Sequence, residues 1–486
     1  MCLYLIELYI AGVLLINLLT DKLPCVIQSV SGILAGYLLF VLNSMGLIAV
    51  GIGLSQTSIV ILTSVECLGF LIGLFVNQKK DRKIKNIFSL NFWIVGLIYF
   101  SLLYLFYELN LNYVTHDSIY LILFGRDLIQ SGFSEWYIAS PASMGIYIPL
   151  IQAMGMLFGL DYVWFIQPVL SVIMITVIIY FGYKSVIRYI IKKWIAYALV
   201  VGAILLFLTA NLIYGMLVYT HTNLSSALYL FLTVVSFYFA IEDDNGGWLV
   251  LGGLSLISFG FVRIENPLIA LIIIFLYLSS GKLSQRQSIL TFIPYLLFQG
   301  VWYFSVYLMD IETFLSGMGD GQILLISLAC FALILVILLR RWQLLKRIMD
   351  WASKSLPFIF LAFWGVLGAL NPSVFLNNLK AILTNFFISG GWGFFWVINI
   401  PLLFISIYSE HFPQKRLLLR FLISFFAVIE ILGFFRVPYH AQWYDSANRM
   451  MIHIAPLVLF FVITQVAKAS SLPKALPEAD ETPKVV

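Results

Sequence analysis

Long runs of apolar residues constrain this chain more than any other feature of its sequence. A helix needs about 20 apolar residues to cross a bilayer, and fifteen segments approach or reach that length. Soluble domains are about one quarter charged, whereas this chain of 486 residues is 62% hydrophobic and only 10% charged. The sequence therefore predicts an all-α, polytopic transmembrane helical bundle of about 15 spans. The predicted spans lie near residues 3–20, 25–46, 52–77, 88–108, 162–183, 194–213, 223–241, 247–262, 266–280, 288–308, 321–339, 355–371, 390–408, 417–435 and 449–467.

Lysine and arginine residues between the spans predict which side each loop faces, because cytoplasmic loops are enriched in them. Five basic clusters fall on one side only if residues 141–160 do not cross the membrane. We therefore predict that residues 109–161 form a long first external loop carrying two interfacial helices, anchored by Trp136, Tyr137 and Tyr147. The N-terminus is then outside and the C-terminus inside. The five clusters are Lys79–Lys85, Lys184–Lys193, Lys282–Arg286, Arg340–Arg347 and Lys415–Arg420.

Charge and cysteine content exclude several other classes. The net charge of +5 is small for this length and lies in predicted cytoplasmic loops, so we expect no nucleic-acid partner. The four cysteines have no paired spacing, which argues against a disulfide framework or a zinc site. The first apolar run follows Met1 without a basic segment, which favours a membrane anchor over a removed signal peptide.

Polar residues suited to chemistry collect on the predicted external side. Asp117, beside His116, is the first acidic residue after the span at 88–108. A carboxylate held where a helix leaves the hydrocarbon is costly, so it is a functional candidate by default. The other candidates are His221, Arg263, Glu265, Arg436, His440, Arg449 and His453.

These residue types suit the transfer of a phosphate-linked group to a hydroxyl. A carboxylate such as that of Asp117 can take the proton of the attacking hydroxyl. Arginine grips phosphate with two donors and is permanently charged. Arg449 and His453 are spaced i, i+4, so they share one helix face and are predicted to direct a positive stripe towards a phosphate.

Structural alternatives exist for each candidate. Asp117 has the residue type that caps a helix beginning near Ser118. Arg263 and Glu265 are placed to form an ion pair at a span boundary, and His221 to bond within its loop. The aromatic residues between Arg436 and His453 are also typical of an interfacial belt.

The arrangement resembles the C-type (GT-C) glycosyltransferase superfamily of polytopic membrane enzymes. The resemblance rests on the acid after a spanning helix, on Pro149 followed by Leu157-Phe-Gly159, and on Arg263-Ile-Glu265. It implies that Asp117 is the catalytic residue, and that a sugar passes with inversion from a polyprenyl-phosphate donor to an extracytoplasmic acceptor. That acceptor would be a cell-surface glycan, a lipid or a protein. It also implies an enzyme of the cytoplasmic membrane and cell envelope, with its active site on the extracytoplasmic face.

The same resemblance divides the chain and bears on cofactors. Residues 1–80 would be additional helices, 81–280 the core and 281–468 further spans. The composition of residues 469–486, with Pro, Lys and Glu and few large apolar side chains, separately predicts a disordered cytoplasmic tail. The Trp-Trp-Asp motif of oligosaccharyltransferases is missing, and His221 and Asn223 stand where some relatives carry acidic metal ligands. These departures favour a metal-independent reaction without a cofactor, although the sequence leaves a divalent cation open.

Two rival functions remain. A transporter or flippase of lipid-linked sugars would require charge at mid-membrane depth and repeat symmetry; Glu66 and the Arg263–Glu265 pair favour it, but we find no internal repeat. An O-antigen-type polymerase would have its large external loop late in the chain, whereas here it is early. In each case the expected partners are the lipid-linked sugar and membrane lipids.

Overall fold

The computed structural model describes residues 1–76, 89–110, 115–133, 145–308, 320–408, 413–435 and 438–470. These residues form nineteen α-helices and one π-helical turn, and no strand occurs among them. The first nine helices are α1 (Cys2–Leu19), α2 (Cys25–Ala49), α3 (Gln56–Val76), α4 (Leu90–Leu109), α5 (His116–Ser131), α6 (Tyr147–Leu157), α7 (Ile166–Val186), α8 (Lys193–Leu208) and α9 (Asn211–Leu217). The others are α10 (Thr222–Glu242), α11 (Gly246–Val262), α12 (Asn266–Ser279), α13 (Gln285–Leu308), α14 (Asp320–Leu338), α15 (Gln343–Leu370), α16 (Pro372–Thr384), the π-helical turn Asn385–Ser389, α17 (Phe395–Tyr408), α18 (Pro413–Phe435) and α19 (Ser446–Ala469).

The predicted helical membrane bundle is confirmed in outline. Eleven helices of the described part are long and apolar enough to cross a bilayer. The remaining four predicted spans correspond to the bent pair α8–α9, which turns by 85°, and to the shorter helices α11, α12 and α17. The chain is therefore an integral membrane protein, and α10 and α19 form its centre, since 94% of each apolar window is buried inside the protein.

Glycines allow the first two helices to cross closely. A Cβ atom on Gly12 would lie only 1.9 Å from the carbonyl oxygen of Gly32, and one on Gly36 would lie 2.4 Å from that of Leu8. Gly32 and Gly36 form the small-xxx-small spacing that brings membrane helices into backbone contact. Helices α1 and α2 are thus packed against each other by close backbone approach.

The segment between α4 and α7 contains two helices, but they do not both lie on a surface. In α6, Tyr147–Gly155 is buried, and Gly125 of α5 lies against its backbone, with Pro149 O only 2.7 Å from an ideal Cβ position. The prediction that Tyr147 is an interfacial anchor is wrong, because its ring is fully buried and its hydroxyl bonds that of Tyr229. Trp136 and Tyr137 lie outside the described residues.

The bundle has two polar ends. At one end the chain turns between α11 and α12 at Arg263–Glu265 and between α9 and α10 at Tyr219–His221. Because α11 and α12 are joined at that turn, Gly246 and Ser279 mark the opposite end. Basic side chains gather at the opposite end: Lys184 pairs with Asp243 at 2.8 Å, and Arg340 bonds the carbonyl oxygens of Leu283 and Leu278.

Candidate functional site

Asp117 lies in the first turn of α5, but it does not cap that helix. The helix begins at His116 and its N-cap is Thr115, which exchanges hydrogen bonds with Ser118 in a capping box. The alternative that Asp117 caps this helix is therefore wrong, because Thr115, two residues earlier, is the N-cap. Ser118 also donates to the carbonyl oxygen of Thr220 at 2.9 Å. This bond ties the start of α5 to the segment before α10 and leaves the Asp117 carboxylate available.

His221 holds one oxygen of that carboxylate. It is the N-cap of α10, and its Nδ1 accepts the backbone N–H of Asn223 at 3.3 Å. The proton of the neutral ring is therefore on Nε2, which lies 3.2 Å from Asp117 Oδ2 and donates to it. The ring stacks on Tyr219 with centroids 5.1 Å apart. Burial lowers the pKa of His221 to about 4, so the ring is neutral at neutral pH.

Arg449 reaches the same oxygen from α19. Its Nη1 lies 2.5 Å from Asp117 Oδ2 and 3.3 Å from His221 Nε2. Since both nitrogens are donors, the second distance reflects convergence on one oxygen rather than a hydrogen bond between them. The His221 hydrogen bond and then the nearby Arg449 charge outweigh partial burial and hold the pKa of Asp117 far below its usual range. The carboxylate is thus ionised, with its side chain 32% exposed.

A second, more deeply buried cluster lies beside this one. Arg263 ends α11 and pairs with Glu265 at 2.7 Å. Its Nη1 also donates to Thr222 Oγ1 at 3.0 Å and to Asn223 Oδ1 at 2.8 Å. The ion-pair interpretation of Arg263 and Glu265 therefore describes the observed contact, and it places both residues next to the start of α10.

Asn223 connects the two clusters. Its backbone N–H orients His221, while its Oδ1 accepts from Arg263 and lies 3.3 Å from His453 Nε2. His453 is fully buried, so the predicted positive stripe of Arg449 and His453 divides: Arg449 turns to the carboxylate and His453 to the amide. The sequence analysis considered Asn223 only as a position where some relatives carry acidic metal ligands, since nothing in its neighbours indicates a partner 230 residues away.

The other candidates stand apart or cannot be placed. His440 is exposed, and within the described part of the chain its hydrogen bonds use its backbone: its N–H donates to Asp445, and its carbonyl oxygen accepts from Asn385. The structure does not bring the His440 side chain into contact with Asp117. Arg436 lies outside the described residues, and so does the side chain of His116.

The position of Arg449 depends on side chains that sequence reasoning missed. Asp445 caps α19 by accepting from the backbone N–H of Ala447 at 3.0 Å. Asn448 donates to the carbonyl oxygens of Gly390 and Trp443 at 2.9 and 2.7 Å. These bonds fix the first turn of α19 against the turn before α17, and so they set the direction from which Arg449 approaches.

A large apolar cavity opens at the far end of α5. It measures about 1350 Å³ and is lined by nine residues between Leu42 and Leu54, by residues 128–133 and by one face of α13 at residues 294–305. Phe261, two residues before Arg263, forms part of its wall. Along α5 it begins about 17 Å from Asp117. The cavity therefore borders the charged turn between α11 and α12 without containing Asp117.

The fold and these contacts define an integral membrane protein with a carboxylate–histidine–arginine cluster at one end of its bundle. No protein-family model, curated protein or solved structure matches the chain. In the described part of the chain, no three His, Cys, Asp or Glu side chains converge as metal ligands would. The chemistry has to be argued from the cluster itself.

Proposed function

We propose that the protein is a membrane glycosyltransferase that moves a sugar from a polyprenyl-phosphate donor to a hydroxyl of an extracytoplasmic acceptor. The observation that carries the proposal is the pairing of an ionised Asp117 with Arg449 at the end of membrane-spanning helices. One group can accept a proton, and the other suits a phosphate. This is the minimum set that such a transfer requires.

The reaction assigns each group a step. The acceptor oxygen attacks the anomeric carbon while its proton passes to Asp117. The bond from that carbon to the phosphate oxygen breaks, and its electron pair stays on the phosphate. Arg449 stabilises the charge that develops there with its two-pronged guanidinium. Inversion at the sugar follows, because attack and departure occur on opposite faces.

The remaining candidates support the site rather than the chemistry. Arg263 is already neutralised by Glu265 and is only 8% exposed, so it is less suited to phosphate than Arg449, which is 23% exposed. His453 is fully buried and positions Asn223. His221 orients Asp117, because its second nitrogen is engaged and its first carries the donated proton.

The membrane setting fits a lipid donor. The Lys184 and Arg340 end of the bundle is the basic one, so the positive-inside rule assigns it to the cytoplasm and Asp117 to the other face. The 1350 Å³ cavity on that face offers room for the hydrocarbon chain of a lipid substrate. A lipid-linked donor can reach such a site sideways from the bilayer.

The test is transfer by the purified, reconstituted protein from radiolabelled polyprenyl-phosphate sugars. Asp117→Asn should lower transfer by a factor of about 100 or more while donor binding is kept. Asp161→Asn is the matched control, because Asp161 is an exposed acid on the same segment, before α7, and it should transfer normally. Full transfer by the Asp117 variant would refute the assignment, and movement of labelled lipid across the bilayer without transfer would favour a transporter instead.

A further inference from the structure

Asp117, the proposed general base, is held as a stabilised anion that accepts a proton poorly. Asp117 Oδ2 accepts from both Arg449 and His221, and charge-assisted bonds of this kind stabilise the anion. A general base works best when its pKa lies near the operating pH, whereas these partners hold the pKa of Asp117 far lower. One partner has to leave before the carboxylate can take a proton from an acceptor hydroxyl.

His221 is the fixed partner. Its side chain is only 4% exposed, its Nδ1 is engaged by the backbone of Asn223, and its ring is stacked on Tyr219. Rotation of this ring would break the bond that caps α10 and would leave a buried polar group without a partner. We therefore expect His221 to stay on Asp117 throughout a reaction.

Arg449 is the movable partner. Its side chain is 23% exposed, and its Nη1 bond to Asp117 is its one ion pair among the described residues. Its Nε is buried without a hydrogen-bond partner in that part of the chain, so the guanidinium is held by one edge. A phosphate can accept two parallel hydrogen bonds from a guanidinium and carries more negative charge than the single carboxylate oxygen that Arg449 contacts.

We propose that the donor phosphate draws Arg449 away from Asp117, so that donor binding itself releases the catalytic carboxylate. This mechanism rests on the proposed function and adds a gate to it. Before the donor arrives, the ionised Asp117 carboxylate is paired with Arg449 and is a poor base. After Arg449 has moved, the carboxylate keeps the His221 bond. The proton of the acceptor hydroxyl then passes to Asp117, and the departing phosphate is bound by the Arg449 guanidinium that has left Asp117.

Among the described side chains, the charged and titratable groups around Asp117 are few enough for the gate to be measured. Besides His221 and Arg449, the hydroxyl of Tyr219 lies near Asp117, and the positive charge of Arg263 lowers the pKa of His221. Of these, Arg449 is the partly exposed cation in direct contact with the carboxylate. The His221 hydrogen bond lowers the pKa of Asp117 most, but His221 stays in place, so a change in the protonation of Asp117 should report the loss of Arg449.

The experiment uses the full chain in nanodiscs with farnesyl phosphate, a sugar-free lipid phosphate that cannot support transfer. A carbodiimide reagent modifies protonated carboxyl groups, and mass spectrometry of the Asp117 peptide gives the pH midpoint of protection. Binding of farnesyl phosphate is measured separately by native mass spectrometry. In the wild type we expect bound farnesyl phosphate to raise the midpoint by about 1 to 3 pH units, the effect of losing an adjacent opposite charge.

Two variants make the result decisive. Arg449→Gln should show the raised midpoint without any lipid phosphate, and Arg449→Lys, which keeps the charge but loses the fork, should lie between this variant and the wild type. Arg188→Gln, at the opposite end of the bundle, should behave as the wild type. Bound farnesyl phosphate with an unchanged midpoint, or an Arg449→Gln midpoint equal to the wild type, would overturn the gate alone. Failure of the wild type to bind farnesyl phosphate would overturn the proposed donor class, and the gate with it.

Discussion

Replacing Asn223 should lower the free energy of unfolding more than replacing a buried asparagine that makes one hydrogen bond. In Asn223→Ala, the Arg263 guanidinium loses an acceptor at 2.8 Å and the fully buried His453 loses a contact at 3.3 Å. A hydrogen bond to a charged group contributes about 1.5 to 3 kcal/mol, and one between neutral groups in a membrane about 0.6 kcal/mol. The expected loss in the free energy of unfolding is therefore about 3 kcal/mol.

The matched control is Asn399→Ala. Asn399 is about equally buried, but among the described residues its amide makes a single bond, to the carbonyl oxygen of Phe395 at 2.8 Å. The loss in the free energy of unfolding should therefore be about 0.6 kcal/mol. Both variants are measured by denaturant titration of the purified protein in mixed micelles. Equal losses in the two variants would show that Arg263 does not depend on Asn223, and the connection between the two clusters would have to be abandoned.

Two further predictions concern His221 and the cavity. Burial lowers the pKa of His221 in the folded protein from 6.5 to about 4, so between these pH values the unfolded chain binds a proton that the folded chain does not. The free energy of unfolding should therefore fall by about 3 kcal/mol as the pH drops from 6.5 to 4. Asp117, whose pKa is low, stays ionised in the folded protein over this range. His221→Gln should flatten the thermal-denaturation profile there by that amount, and an unchanged profile would contradict the buried neutral ring. Gly46→Leu should fill open space in the cavity and weaken polyprenyl-phosphate binding about 50-fold, since three displaced methylenes cost about 0.8 kcal/mol each. Gly202→Leu, which also meets open space but lies elsewhere, should bind normally, and equal binding by both variants would refute occupation of the cavity by a chain.

The sequence predicts the class of fold because membrane helices leave a strong local signal. Apolar length located the eleven long helices, since each must satisfy its backbone within hydrocarbon. The same signal fails for α6, whose Pro149, Gln152 and Gly155 suggested a surface helix. Gln152 instead bonds the backbone of Val163 in both directions, at 3.0 and 2.8 Å. The polar residue Gln152 thus indicates a buried hydrogen bond to the turn after α6, not a solvent-exposed helix.

The candidate site was predicted less completely, because its contacts join distant parts of the chain. Asp117 and Arg449 attracted attention for their charge at span ends, 332 residues apart. They meet because α10 packs against α19 and the bond from Ser118 to Thr220 ties the start of α5 to the segment before α10. Thr115 and Asn448 gave no signal, since a threonine and an asparagine near helix ends are ordinary. Their roles, in capping α5 and in fixing the start of α19, become visible only with the neighbouring turns in place.

Charge balance explains why such a cluster is tolerated at the end of a membrane bundle, and why the gate should act on Asp117. Each carboxylate of the two clusters already has an arginine partner, Arg449 for Asp117 and Arg263 for Glu265, because an unpaired ion at partial burial costs several kcal/mol. An entering phosphate must therefore compete with a carboxylate for an arginine. It should win Arg449, which is 23% exposed, before Arg263, which is 8% exposed. The pairing that stabilises the empty site is then the one that the donor disrupts, and it frees the carboxylate that the proposed reaction needs.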